Sequence, residues 1–116
     1  MSEMLAVRPA LLVYLSGPIT PAHGFSVKQN VQSAVDVYLD AVQRGIPAIC
    51  PHLSGLIDAA WAVPHAQWIA IDLAILDRCT HLVLLPRWET SPGAQIEVAH
   101  ARLQGIPVVG SLAEVA

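Results

Sequence analysis

The sequence is poor in charged residues, and the few that it has form no basic or acidic run. Asp, Glu, Lys and Arg make up 13% of the 116 residues, with a formal net charge of −3. This share is about half of that in an average globular protein. A protein that neutralises nucleic-acid phosphates needs clustered cations, whereas the six Lys and Arg residues here are scattered. The composition therefore argues against a nucleic-acid polymer as the partner.

Long apolar runs and a disulfide framework are also missing. The longest continuous apolar run, residues 10–15, falls short of the roughly 18 residues that a membrane-spanning helix needs. Residues 1–8 lack the charged start, apolar centre and cleavage site of a signal peptide. Two cysteines, Cys50 and Cys79, make neither a disulfide framework nor a zinc site. We therefore expect a cytoplasmic protein with reduced thiols, no membrane contact and no metal.

Apolar residues are abundant, at 54% of the chain. A monomer of this size has a large surface relative to its volume, and the few charged residues cannot cover it. We therefore expect apolar surface to be buried between the subunits of a homo-oligomer, a dimer or larger. Val37 and Leu39 are candidates for that interface because they lie off the main apolar stripe of the first predicted helix.

Short apolar runs alternate with helical patterns, which predicts one α/β domain over residues 1–116. We expect a three-layer, flavodoxin- or Rossmann-like fold with a mostly parallel sheet of four to five strands. The simplest right-handed connections give the strand order 2-1-3-4. Gly-Ile-Pro occurs at residues 45–47 and 105–107, where glycine ends a helix and proline prevents its continuation. The predicted strands are residues 10–15, 48–50, 81–86 and 107–110, and the predicted helices follow Ser26, span residues 65–79 and follow Ser91.

The order 2-1-3-4 places a ligand crevice between strands one and three, beyond their carboxyl ends. Two loops, residues 16–24 and 86–93, flank that crevice. Gly17 and Gly93 leave backbone amides unshielded there, and Ser91 caps a helix whose N-terminus favours anions. These loops predict a site for an anion or for sugar hydroxyls, although most capped helices bind nothing. The candidate binding residues are Ser16, Gly17, Pro18, Ile19, His23, Ser91 and Gly93.

Two acidic residues lie in helical patterns where a carboxylate is unexpected. Asp72 has only apolar neighbours three and four positions away, which indicates a carboxylate that faces inward. A structural bond to a backbone amide explains that position equally well. Glu97 lies on a face of small residues that leaves room beside it. Two carboxylates in different environments are what a nucleophile and a general acid acting on one sugar require, and Tyr14 is a candidate to hydrogen-bond one of them.

Other candidates are weaker. His52 follows Cys50 by two positions, but no second pair completes a metal site, which favours a loop histidine. Trp61, Trp68 and Trp88 suit stacking on a base, but tryptophans are more often packing residues. The sequence has no phosphate-binding loop ending in Gly-Lys-Ser/Thr, no Gly-x-Gly-x-x-Gly and no Gly-x-Ser-x-Gly. The commonest ATPase, dinucleotide-binding and α/β-hydrolase motifs are therefore excluded.

Three segments of the chain resemble the nucleoside 2-deoxyribosyltransferase-like superfamily. That group includes nucleoside deoxyribosyltransferases and 2′-deoxynucleoside 5′-phosphate N-hydrolases. Residues 14–19 are similar to its first strand and glycine-containing loop, and residues 72–79 to its aspartate-bearing helix. Residues 91–97 are similar to its serine, glycine and nucleophilic glutamate, in a version closer to that of the phosphate N-hydrolases. The resemblance extends from about residue 12 to residue 109.

The resemblance implies that Glu97 attacks C1′ of the sugar, that Tyr14 positions Glu97 and that Asp72 handles the proton of the departing base. It implies no cofactor. The expected function is cleavage of the N-glycosidic bond of a nucleoside or a (deoxy)nucleoside 5′-monophosphate through a covalent glycosyl–glutamate intermediate, with hydrolysis preferred to base transfer. A nucleoside 2-deoxyribosyltransferase proper, a non-enzymatic nucleotide-binding or sensing module and a small interaction protein are the alternatives.

A 5′-phosphate is the favoured group on the substrate. The resemblance implies that Ser91 and the Gly17 loop hold the 5′ end of the sugar. A phosphate there gains charge-assisted hydrogen bonds that a neutral hydroxyl does not. Lys28 or His23 is expected to supply positive charge nearby.

Overall fold

A computed structural model of the chain describes residues 6–19, 21, 23–53 and 62–115. Within these residues, four parallel strands form one sheet in the order β2-β1-β3-β4. The α/β fold and the predicted strand order are both confirmed. The strands are β1 (Val13–Ser16), β2 (Ala48–Ile49), β3 (His81–Leu84) and β4 (Val108–Val109), and the α-helices are α1 (Val27–Gln43), α2 (His65–Leu76) and α3 (Pro92–Leu103).

The central strand β1 divides its side chains between two cores, because successive residues of a strand point to opposite faces. Val13 and Leu15 pack on one face with α1. Tyr14 packs on the other face with side chains of α2 and α3. Helices therefore cover both faces of the sheet, which makes three layers and explains why β1 is continuously apolar. Ser16 follows Tyr14 by two positions, so both hydroxyls point toward the α2–α3 side.

Serine caps begin α1 and α3, as predicted. Ser26 accepts a hydrogen bond from the backbone N–H of Gln29, whose side chain accepts one from the Ser26 N–H, so the two form a capping box. The Ser91 hydroxyl accepts from the Ala94 N–H at 3.1 Å, and Pro92 occupies the first helical position. The cap at Ser91 fixes the position at which α3 starts. It therefore also fixes the position of the residues one turn further along this helix.

The two Gly-Ile-Pro segments end α1 and α3 in the same way. Gly45 and Gly105 have φ angles of 72° and 75°, in the left-handed region that disfavours a side chain. After Gly45, the Ile46 N–H donates to the Ala41 carbonyl at 2.9 Å, and the equivalent bond after α3 is 2.8 Å. These bonds satisfy carbonyls that the helix end would leave free. The chain then turns directly into β2 and β4.

The regular elements are shorter than predicted at several ends. β1 covers Val13–Ser16 rather than residues 10–15, because the Leu12 N–H donates to the Thr80 hydroxyl instead of to a neighbouring strand. α2 ends at Leu76 rather than at residue 79. After Leu76 the backbone hydrogen bonds change from α-helical to turn geometry, and the Cys79 N–H donates to the Leu76 carbonyl. The helix ends there because the chain must turn into β3.

The surface of the described residues carries exposed apolar side chains but no helix with the length and hydropathy of a membrane span. The expectation for Val37 is wrong, because this side chain is half-buried and packs against the core between α1 and the sheet. Leu39 is 52% exposed, and Leu103 at the end of α3 is 83% exposed. The homo-oligomer stays a prediction.

Replacing Gly105 by Ala is expected to destabilise the protein by about 1 kcal/mol, because an alanine is strained at its positive φ. A Cβ at this position meets no atom within 4 Å, so the loss reports backbone conformation alone. Urea denaturation measures it. Gln104→Ala, one residue earlier and in the right-handed helical region, is the control. Equal stability of Gly105→Ala and the unmodified protein would contradict this account of the helix end.

Candidate active site

Glu97 lies one turn inside α3 and is held by two hydroxyl groups of β1. The Tyr14 hydroxyl donates to Glu97 Oε2, and the Ser16 hydroxyl donates to Oε1 at 2.7 Å. The sequence made Tyr14 a candidate partner of one acid, and the structure identifies that acid as Glu97. Glu97 is only 6% exposed. Each of its oxygens therefore has a fixed donor in place of the water that it loses.

The charge of Glu97 is set by opposing effects. Burial raises the pKa of Glu97 to about 7, and the nearby Asp72 carboxylate contributes to that rise. The hydrogen bonds from Tyr14 and Ser16 act in the other direction and lower the pKa, because they stabilise the ionised form. Burial and the negative charge of Glu97 raise the pKa of Tyr14 far above its ordinary value, so the phenol stays a hydrogen-bond donor. The result is a carboxyl group that changes charge near neutral pH.

Asp72 faces the same cavity from α2. Its side chain is half-buried, and burial raises the pKa of this carboxyl to about 6. Within the part of the chain that the structure describes, no hydrogen bond ties Asp72 to a backbone amide or to another side chain, so the purely structural explanation has no bond to support it. The two acids influence each other electrostatically, yet only Glu97 is tied to hydroxyl donors. They are therefore two carboxyl groups in different environments beside one cavity.

The cavity has a volume of about 220 Å³ and lies beyond the carboxyl ends of β1 and β3. This is the predicted position, where the order of strands reverses. The loop after β1, the loop after β3 and the helices α1, α2 and α3 all contribute to its wall. The lining residues are Gly17, Pro18, Ile19, Asn30, His65, Trp68, Ile69, Asp72, Arg87, Thr90, Ser91, Pro92, Gly93, Ala94 and Glu97.

Five of the seven predicted binding residues line this cavity, namely Gly17, Pro18, Ile19, Ser91 and Gly93. Two do not. Ser16 is fully buried beneath it, and its hydroxyl is used on Glu97. His23 is an exposed turn residue with a positive φ of 54° and is not among the described residues of the wall. Lys28 is likewise exposed and away from the wall, so neither expected source of positive charge is in place.

His52 is a buried support for the loop after β1. Its Nε2 lies 3.1 Å from the Gly17 carbonyl oxygen, and since a carbonyl only accepts, Nε2 carries the hydrogen. Burial lowers the pKa of His52 to about 4, so the ring is neutral. Gly17 itself packs against Leu85, the residue that follows β3: a Cβ there would lie 2.7 Å from Leu85 Cβ. The loop histidine of the sequence analysis thus fixes one edge of the cavity, and Gly17 permits a contact that a larger residue prevents.

Sequence reasoning missed Arg87 as a site residue. It was treated only as one of six scattered cations, although it follows β3 in a loop that was predicted to flank the crevice. The guanidinium donates to Asn30 Oδ1 at 2.9 Å and stacks over the Phe25 ring at 3.7 Å from its centre. Its position in the loop was the available signal, and the contact with α1 was not visible in the sequence.

The three tryptophans separate into different roles. Trp68 lines the cavity on the same helix as Asp72 and four positions before it. Trp88 packs in the core between the sheet and α3. Trp61 lies outside the described residues. One tryptophan is therefore placed to contact a ligand, and one is a packing residue.

The fold and the site define a Rossmann-like α/β protein with two carboxyl groups at the crevice of its sheet. Within that class, the chain belongs to the family of a domain of unknown function, DUF4406, whose model matches residues 11–110. The match covers all four strands and both acids. No curated protein matches the sequence.

Replacing Glu97 by Gln is expected to stabilise the protein increasingly as the pH rises. Because the pKa of Glu97 is raised in the folded state, folding binds extra protons between about pH 4.5 and 7, and this contribution to stability is lost as the pH rises through that window. Glutamine does not titrate. The free energy of unfolding of Glu97→Gln should therefore gain about 2 kcal/mol on the unmodified protein between pH 5 and 8.

Urea denaturation at the two pH values measures this gain. Glu89→Gln, which removes an exposed negative charge just before α3, is the matched control. A difference between Glu97→Gln and the unmodified protein that does not change with pH would contradict the raised pKa.

Proposed function

We propose that the protein cleaves the N-glycosidic bond of a nucleoside or (deoxy)nucleoside 5′-monophosphate through a covalent glycosyl–Glu97 intermediate. The observation that carries this proposal is the pairing of Glu97 and Asp72 across one cavity, with Glu97 fixed by the Tyr14 and Ser16 hydroxyls. A nucleophile must be held in the orientation in which it attacks, and the two hydrogen bonds hold the Glu97 carboxylate in one orientation. An acid that protonates a leaving group needs freedom to meet it, and Asp72 has no hydrogen bond to a described residue.

In the first step, the ionised Glu97 attacks C1′ and the bond between C1′ and the base nitrogen breaks. The bonding electrons leave with the base, which takes a proton from Asp72. In the second step, Asp72 accepts a proton from water, whose oxygen attacks C1′ and releases Glu97. Two displacements at one carbon retain its configuration. Transfer differs only in that a second base replaces water.

The cavity wall supports a substrate with a flat apolar group. Trp68 and Ile69 contribute apolar surface on the α2 side, next to Asp72. An aromatic side chain at the wall suits stacking on a base. In the proposed orientation the base lies against α2, where Asp72 can protonate it, and the sugar lies beside Glu97.

Glu97→Ala is expected to lower the rate of base release at least about 1,000-fold, since the nucleophile is lost. The protein is incubated with paired nucleosides and 5′-monophosphates of all common bases, with and without a second base, and free or exchanged base is measured by chromatography. The exposed Glu89→Ala is the matched control. Base release by a folded Glu97→Ala protein at the unmodified rate would contradict the mechanism, and base exchange on an unphosphorylated nucleoside would replace hydrolysis by transfer.

Asp72→Asn is expected to change the shape of the pH profile of kcat/KM as well as its height. The unmodified protein needs ionised Glu97 and protonated Asp72, so its profile is bell-shaped with a maximum between about pH 6 and 7. In Asp72→Asn no acid loses its proton, so the alkaline decline disappears. The remaining rise with pH then reports the ionisation of Glu97 alone.

Initial rates between pH 5 and 9 test this expectation, with a maximum about 100-fold or more below that of the unmodified protein. Asp77→Asn, at the exposed end of the same helix, is the control and should keep the bell shape. A bell-shaped profile that survives in Asp72→Asn would confine Asp72 to a structural role.

A further inference from the structure

His65 lines the cavity, and the proposed reaction gives it no part. It is the one histidine among the described residues of the cavity wall. It is the first residue of α2, and its side chain is exposed. No hydrogen bond joins its ring to another described residue. An imidazole can donate a hydrogen bond from one nitrogen and accept one at the other, and in the described part of the chain neither nitrogen is used.

His65 is one end of a stripe of four side chains that α2 presents to the cavity. The stripe consists of His65, Trp68, Ile69 and Asp72, all of which line the wall. Residues three, four and seven positions apart lie on one face of a helix. The two ends of this α2 stripe are polar, and its middle is apolar.

The α2 stripe has the length of one heterocyclic base with a hydrogen bond at each end. Seven residues of α-helix span about 10.5 Å. Two hydrogen bonds of about 2.9 Å each leave about 5 Å between the polar ends. A purine or pyrimidine is about this wide from the nitrogen of its glycosidic bond to the substituent on its opposite edge. The flat face of such a base would then lie over Trp68 and Ile69, where an aromatic side chain suits stacking.

Burial and charge give the α2 stripe a direction. The Asp72 end is half-buried and lies close enough to Glu97 for the two carboxyl groups to influence each other electrostatically. The His65 end is exposed. A base whose glycosidic bond lies between the two acids therefore has its opposite edge at His65, toward the solvent.

We propose that His65 hydrogen-bonds the edge of the base opposite the glycosidic bond, so that the protein selects bases with an amino or oxo group there over bases without one. This inference rests on the proposed function. The group in question is the substituent on C6 of a purine or on C4 of a pyrimidine. The imidazole can accept from an amino group or donate to an oxo group, whereas a C–H edge forms neither bond. Because His65 is exposed, water competes for the same bonds, and the selection is moderate.

The test compares kcat/KM for 2′-deoxyadenosine with kcat/KM for purine 2′-deoxyriboside, which has hydrogen in place of the 6-amino group. Both are used as nucleosides and as 5′-monophosphates. The unmodified protein is expected to prefer the amino compound about 10-fold, as one hydrogen bond supplies. In His65→Ala the ratio should fall to about one. This variant is expected to fold, because the replaced side chain is exposed and alanine favours a helix.

Two further variants distinguish recognition of the base from a general effect on α2. His65→Gln keeps a donor and an acceptor at the end of the side chain and should retain part of the preference. Gln67→Ala changes an exposed residue of the same helix that is not among the described residues of the wall, and it should leave the ratio unchanged. An unchanged ratio in His65→Ala would overturn the inference.

A binding measurement with free bases separates this inference from the proposed function, because a free base has no glycosidic bond to cleave. Calorimetry is expected to show that adenine binds the unmodified protein at least about 5-fold more tightly than it binds His65→Ala. Unsubstituted purine should bind the two proteins equally. That result together with no base release from any substrate would reject the proposed function and keep the role of His65. No binding of adenine, or equal binding of adenine to the two proteins, would overturn that role.

Discussion

The hydrogen bonds from Tyr14 and Ser16 to Glu97 join the central strand of the sheet to the helix that follows β3. A buried carboxyl group without partners is costly, and these two donors offset much of that cost. They also leave the group able to ionise near neutral pH, with a pKa of about 7. The same hydrogen bonds therefore hold α3 against β1 and determine the orientation of the carboxylate.

The strand order explains why the cavity forms beside this contact. β1 and β3 are neighbours, but the helices that follow them cover opposite faces, so their loops diverge at the carboxyl ends. Gly17 approaches Leu85 closely, and His52 donates a hydrogen bond to the Gly17 carbonyl. These two contacts hold the start of the loop after β1.

Charge is distributed unevenly around the cavity. Glu97 and Asp72 raise the negative potential on the side where α2 and α3 face each other, and burial keeps both acids near the point where they change protonation. Arg87 contributes positive charge from the loop after β3, where Asn30 and Phe25 hold it. The glycosidic chemistry that we propose uses the two acids on one side of this cavity.

Local sequence determined the parts of this protein that depend on neighbours along the chain. The serine caps, the Gly-Ile-Pro helix ends and the alternation of strands and helices were all readable, and connection rules then yielded the strand order. The positions of Asp72 and Glu97 among apolar or small helix neighbours could be predicted for the same reason, because a helix repeats every 3.6 residues. Strand ends were predicted less well, because pairing partners such as Thr80 for Leu12 are distant in sequence.

Tertiary structure alone decided the contacts between elements. Ser16 was expected to bind substrate and instead supports Glu97. His52 was predicted as a loop histidine, and the structure adds that it is buried and bonded to the Gly17 carbonyl. Arg87 entered the site through Asn30, which lies 57 positions away in sequence. No periodicity or spacing in the sequence encodes such a pair. Asn30 lies in α1 and Arg87 in the loop after β3, and only the folded sheet brings these two segments together. The sequence by itself determined which residues are polar in apolar surroundings, and the fold decided which of them face one another.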